Sequence, residues 1–195
     1  MTFDKSEYEA QTFEDLDLRA EVLEDITFLD CIFEACQLTE ASLKRSTFSG
    51  CTFRNCDLSM ANVTDAEFTE TLFEATLAVG VNWALSSESA YLGTDLNFED
   101  CTLKYGVFMG LDLSKRRFVN CNLQEADFSG AKLVETDLKG SDLAGSLFRN
   151  CDLTKANFVG AKNYRINVRE NKLKGAKFSI PEALGLLSGL EIELS

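Results

Sequence analysis

Stepping by five from Phe13 meets nothing but large apolar residues: Phe13, Leu18, Leu23, Phe28, Phe33, Leu38, Leu43, Phe48, Phe53, Leu58, Val63, Phe68 and Phe73. A second run in the same frame goes from Phe98 through Leu103, Phe108, Leu113, Phe118, Leu123, Phe128, Leu133, Leu138, Leu143, Phe148 and Leu153 to Phe158. At 45% hydrophobic content, chance gives such a pair of runs roughly once in a billion trials. A period of five matches neither the 3.6 of a helix nor the 2 of a strand, so the chain must turn inward once in every five residues.

Two positions before most of these residues stands a small one: Cys31, Cys36, Ala41, Ser46, Cys51 and Cys56 in the first run, and Cys101, Cys121, Ala126, Ala131, Thr136 and Ser141 in the second. All seven cysteines fall in this class, an outcome of about one in 80,000 by chance. Their number is odd and the chain has no histidine, so the frame explains them as small buried side chains rather than as disulfide partners or metal ligands. The first coil is less regular, with Leu16, Glu21 and Ile26 at small-residue positions. The other three positions of each five carry most of the charge and polarity, as an outward surface should.

A period of twenty lies over the period of five. Phe13, Phe33, Phe53 and Phe73 make one column, Phe28, Phe48 and Phe68 another, and Leu18, Leu38 and Leu58 a third. Four fives therefore close one turn of a four-sided coil, with like residues stacked at the strand spacing of about 4.8 Å.

Units such as CDLSMANVTDAEF and ADFSGAKLVETDLKGSDLAGSLFRNCDLTKANF resemble the pentapeptide repeat family, whose unit is written A(D/N)LXX. The resemblance spans about residues 8–178. It implies an all-β fold, a right-handed quadrilateral β-helix of about 20 residues per coil with the large and small residues pointing inward. The many Cys and Phe units, the central interruption and the tail also resemble the Qnr-type quinolone-resistance and microcin-immunity proteins. That resemblance implies a cytoplasmic homodimer that binds a type II topoisomerase, DNA gyrase or topoisomerase IV, by imitating duplex DNA.

The charge bears on this reading. Residues 1–80 hold 17 acidic and 5 basic side chains, net −12, whereas residues 81–195 hold 15 and 14, net −1. The acidic half matches duplex DNA in charge per length, about 11 charges over the roughly 19 Å that four coils occupy. Solubility is the other account of the same charge. The basic segment Lys162, Arg165, Arg169, Lys172, Lys174 and Lys177 speaks against mimicry along the whole rod. Asp57, Asp65, Glu67, Glu70 and Glu74 stand for the acidic face, since they occupy outward positions of consecutive fives.

The pattern breaks near 84–97. Glu88 would fall inward, where a carboxylate has no partner, so LSSESAYLGTD (85–95) reads as a loop or bulge off the coil. One turn on, Leu111 and Arg116 fill the small-residue class. Either a local bulge swings Arg116 outward, or Glu88, Tyr91 and Arg116 belong to a partner contact, since repeat proteins carry insertions on binding faces.

At the end of the chain, Ser179 with Glu182 three residues on, and Pro181 between them, form a capping box for a short helix, SIPEALGLLSG. Ala183, Leu184, Leu187 and Leu190 would share one face, and LEIEL then alternates like a strand. The chain thus divides into a solenoid, 1–178, and a cap, 179–195. The cap closes the solenoid end, and the resemblance makes it a dimer contact through Leu184, Leu187, Leu190 and Ile192.

The net charge of −13 argues against nucleic acid or an anionic bilayer as a direct ligand. No stretch approaches the 18 or so apolar residues of a membrane span, and the N-terminus lacks the features of a signal peptide. No catalytic constellation, phosphate loop or metal spacing appears, so the chain reads as a non-enzymatic binding protein without cofactor. The competing expectation is a structural or adaptor solenoid with another protein partner.

Overall fold

A computed structural model describes residues 3–87 and 95–190, with side chains through 187. The chain winds as a four-sided parallel β-solenoid of about eight coils, the quadrilateral coil expected from the period of twenty. On the first face, β1 (Glu7–Glu9), β3 (Thr27–Leu29), β5 (Thr47–Ser49) and β7 (Glu67–Thr69) stack in register. The second face stacks β2 (Thr12–Glu14), β4 (Ile32–Glu34), β6 (Thr52–Arg54), β8 (Thr71–Glu74), β9 (Leu96–Glu99) and β10 (Phe118–Val119). It continues to β11 (Asn157–Phe158) and β12 (Lys177–Phe178). The third and fourth faces are joined by single parallel bridges, such as Gln37 to Asp57 and Ser42 to Asn62.

What turns the chain is a left-handed residue at each corner. Every position divisible by five from 10 to 80 and from 100 to 160 has positive φ, between 48° and 73°. Most of these residues are not glycine, although a left-handed L-residue costs about 1–2 kcal/mol. The cost is offset because both backbone groups flanking each corner enter the ladder to the next coil: the amides of Leu18 and Ala20, for example, donate to the carbonyls of Gln37 and Thr39, each at 2.7–2.9 Å. The Asp or Asn of the A(D/N)LXX unit serves the same turn. Its side chain accepts the amide two residues on, as Asp57 does from Ser59 at 2.8 Å and Asp127 from Ser129 at 2.8 Å.

Every large residue of both runs is at most 3% exposed. Phe33, Phe53 and Phe73 stack at centroid spacings of 4.6 and 4.9 Å, and Phe28, Phe48 and Phe68 at 5.1 and 5.2 Å, with edge contacts between the two columns. The small class is buried as well, and all seven cysteines are free. They are more than fillers. Each thiol donates to the carbonyl of the large residue one coil below, as Cys36 does to Phe13 and Cys56 to Phe33, both at 3.2 Å. Ser46, Thr76 and Ser141 do the same with hydroxyls. Burial pushes the Cys51 thiol up to about 12 and that of Cys151 to about 11.

The break in the pattern is five extra residues. Glu67 pairs with Ser87, still twenty on, but Phe73 pairs with Phe98 and Asn82 with Val107, twenty-five on. Because the excess is one whole five, the frame is inward again on the far side. Trp83 holds an inward position within a short 3-10 turn, Trp83–Leu85, and is fully buried. Arg116 is not swung outward as a bulge would require. It is paired with Asp95 at 2.5 Å, its side chain only 19% exposed, because both groups sit where the extra residues rejoin the coil. Leu111 is buried in the same column system.

The last coil slips by one. Asn163 would be inward, but an amide there has no apolar fit; it takes φ of 61°, stays exposed and donates to Asp142 at 2.8 Å. Tyr164 and Ile166 are buried in its place, and Tyr164 packs against Phe158 and Phe178. The expected capping box does not form. Ser179 follows β12, and its hydroxyl turns to the ladder, where it accepts the Gly160 amide at 3.0 Å, rather than to the helix start. The segment Glu182–Leu190 winds as a 3-10 helix. Leu186 packs on the core while Leu184 is 51% exposed.

Phe53→Ala removes a ring clamped between two others and should cost about 3–5 kcal/mol, read as a fall in the denaturant midpoint. Ala35→Gly, at a corner with φ of 53°, should instead stabilise by about 0.5–1 kcal/mol, the relief of left-handed strain less the added chain entropy. A thiol reagent such as DTNB should label almost none of the seven cysteines in the native protein and all of them in guanidinium.

Candidate protein-binding surface

Acidic side chains are spread over all four faces of the first four coils, and five of them, Asp17, Glu24, Asp25, Glu34 and Glu74, are paired with arginine where they stand. Asp17 pairs with Arg19 at 2.6 Å, and that bond holds its carboxyl down at about 2. Arg45 pairs with both Glu24 and Asp25, and the hydrogen bonds from Ser42 and Arg45 lower those two carboxyls in turn. Arg54 bridges Glu34 and Glu74 from the adjacent coils.

The first face differs. Its outward positions and the corner that follows them carry Glu7, Glu9, Asp30, Glu67 and Glu70 and no basic residue through the first four coils, while the corner that precedes them carries Arg45 between Asp25 and Asp65. Among the described residues none of these five carboxylates has an ion-pair partner. The stretch of uncompensated charge is built by register: positions twenty apart stand one above another, and Gly50 leaves room for the Asp30 carboxylate, which an added Cβ there would meet. The same face beyond the insertion is compensated, with Asp112, Lys132, Asp152 and Lys172 alternating in one column and Lys132 and Lys172 bonded to the aspartates below them.

The structure sorts the residues expected at the acidic face. Glu67 lies on the first face, and Asp65 and Glu70 are the exposed left-handed corners at its two edges. Glu74 is on the second face and engaged with Arg54, and Asp57 is on the third, opposite the first, with its carboxylate used in its own turn. Glu7, Glu9 and Asp30 were missed by a search of consecutive fives; stepping by twenty from Glu67 and Glu70 would have found Glu7's column and Asp30's. Glu88, Tyr91 and Ile192 lie outside the described residues, as does the side chain of Leu190 and the expected strand LEIEL. The insertion that holds Glu88 and Tyr91 leaves from Ser87 on the first face and returns at Leu96 on the second, beside the corner occupied by Glu70. Leu187 is half-buried in the terminal 3-10 helix, one turn from the exposed Leu184.

Among the described residues no group of three or more His, Cys, Asp or Glu is placed to hold a metal ion, and no helix is long and apolar enough to cross a membrane. The surface is a regular array of solvated side chains suited to touching another macromolecule rather than to enclosing a small one.

No curated protein matches the chain in sequence. Among solved structures, a trypsin-treated variant of QnrB1, a plasmid-mediated fluoroquinolone resistance protein, superposes with a TM-score of 0.58 at 21% identity, over 97% of this chain and 91% of that one. Full-length QnrB1 gives 0.56 at 21% identity, over 95% of this chain and all of the other. At this identity the likeness is one of fold. The model of the pentapeptide repeat region matches residues 26–91 and 88–158. With a five-residue frame that runs through the core, a left-handed corner at each fifth residue and a family match over most of its length, the chain belongs to the pentapeptide repeat family.

Proposed function

We propose that this protein is a non-catalytic, cytoplasmic binding protein whose N-terminal half docks on a type II topoisomerase, DNA gyrase or topoisomerase IV, in place of duplex DNA, and so modulates or protects the enzyme. The observation that carries this reading is the first face, where carboxylates follow the rod axis with no cation among them. A net charge of −12 over residues 1–80 stands against about 11 phosphates for the same length of duplex. The shared fold with a fluoroquinolone resistance protein supports the choice of target. Glu88 and Tyr91 are included as further partner contacts, and the Arg116–Asp95 pair fixes the chain where it rejoins the coil beside Glu70. A second reading, an adaptor for another protein, is favoured by the C-terminal half, whose ion pairs leave it near neutral. The same proposal includes a tail-to-tail homodimer through Leu184, Leu187, Leu190 and Ile192, since Leu184 stands half-exposed at the end of the rod.

Supercoiling by purified gyrase, with and without a fluoroquinolone, should respond to added protein, and the response should weaken steeply as salt rises. Glu67→Lys combined with Glu70→Lys should reduce it by about tenfold, while Asp57→Asn on the opposite face leaves it unchanged. No response at large molar excess would remove gyrase as the target. Light scattering at micromolar concentration should return twice the chain mass of 21.6 kDa, and Leu184→Glu should return the monomer value.

A further inference from the structure

Residues 75–87 and 105–111 carry no charged side chain, in a protein of which 26% is charged. The winding stacks Asn82 of the first segment beside Val107 of the second on the fourth face, and sets Leu77 beside Thr102 on the third, so that an uncharged belt covers the fourth face and reaches onto the third as far as Lys104. The belt lies across the rod from the corner that carries the insertion. Leu77, Leu85, Tyr105 and Met109 are 44–55% exposed there, and Met60 from the coil below is 60% exposed. Such side chains are those enriched in the cores of protein interfaces.

The belt has a hollow. Met60, Gly80, Asn82 and Leu85 border a cavity of about 260 Å³ on the fourth face. Gly80 keeps it open, since a Cβ there would lie 2.5 Å from the Met60 sulfur. Beneath it the Oδ1 of Asn82 is buried without a hydrogen-bond partner. Carboxylates flank the belt on both sides: Asp57 and Asp65 one coil below, Glu125 and Asp127 one coil above. None of the four has an ion-pair partner among the described residues. Among the described residues the one cation at the rim is Lys104, which lies over the Tyr105 ring at 5.7 Å.

We propose that this belt is a second docking surface, and that its occupant is a short segment of a partner protein with apolar side chains at its centre and lysine or arginine at both ends. Charge complementarity selects that occupant. An anionic bilayer would meet the flanking carboxylates with its own charge, and a second copy of this chain would bring the same carboxylates against them. The surface meets the first face only at the corner shared by Asp65 and Leu85, and it does not depend on the topoisomerase reading.

The test uses the full chain and two labelled synthetic peptides, KKLLLLKK and KKSSSSKK, followed by fluorescence anisotropy. Trp83, the one tryptophan of the chain, is buried at an inward position of the belt's own coil and gives a second signal. The leucine peptide should bind about tenfold more tightly than the serine peptide and shift the Trp83 emission. Leu85→Lys and Met109→Lys, both at exposed positions, should each abolish that preference, whereas Glu70→Lys at the opposite corner of the rod should leave the ratio intact. If Leu85→Lys fails to fold, Met109→Lys alone decides. Equal affinity for the two peptides would overturn the proposal and leave only attraction to an acidic rod. It would equally be overturned by binding to phosphatidylglycerol vesicles, or by a concentration-dependent dimer that Leu85→Lys abolishes.

Discussion

The left-handed corner is the constraint on which the rest of this molecule depends. A chain that turns by the same amount after every five residues closes a square in twenty, and only then can each coil find its hydrogen-bond partners in the next. Each corner is unfavourable by itself for any residue but glycine. Its stability is therefore borrowed from its neighbours above and below, which makes the fold cooperative along the axis although no residue contacts another far from it in the winding. The stacked phenylalanines follow from the corners, since the turn aims every central side chain at the same axis.

Most of the architecture was legible in the sequence because that aim leaves an unbroken record in the inward positions. Phe13 to Phe73 and Phe98 to Phe158 could hardly be read otherwise. What escaped were features decided by competition between partners. The order of residues does not say whether the Ser179 hydroxyl caps its own helix or accepts Gly160 from the adjacent strand; the ladder won. Asn163 breaks the period visibly, but that Tyr164 would take its place in the core depends on the space beside Phe158 and Phe178. Arg116 at a small-residue position looked like an outward swing, and a buried partner, Asp95, held it instead.

The binding surface was legible in amount and not in place. Counting charges located an acidic half, yet Glu34, Glu74, Glu24 and Asp25 are answered by arginines that only the winding brings beside them. The aspartates of the repeat unit belong to the turns that they close. Five of the carboxylates left over, Glu7, Glu9, Asp30, Glu67 and Glu70, share one face because residues twenty apart are neighbours, a distance at which local patterns in the sequence are silent. The uncharged belt became visible in the same way, once two unremarkable stretches proved to lie side by side.

The five extra residues between Ser87 and Leu96 carry a broader lesson about how such a molecule can change. An insertion of one residue kept within the coil would move every later phenylalanine off its inward position and bring Lys132, Lys162, Lys172 and Lys177 onto it. One of five disturbs a single coil and leaves the remaining four coils facing as before, as the pairing of Phe73 with Phe98 demonstrates. The rod therefore lengthens or acquires a projection only in fixed increments. Its evolutionary history is in that sense digital, a ruler extended by whole graduations, on which new surface can be mounted at any mark without recutting the scale.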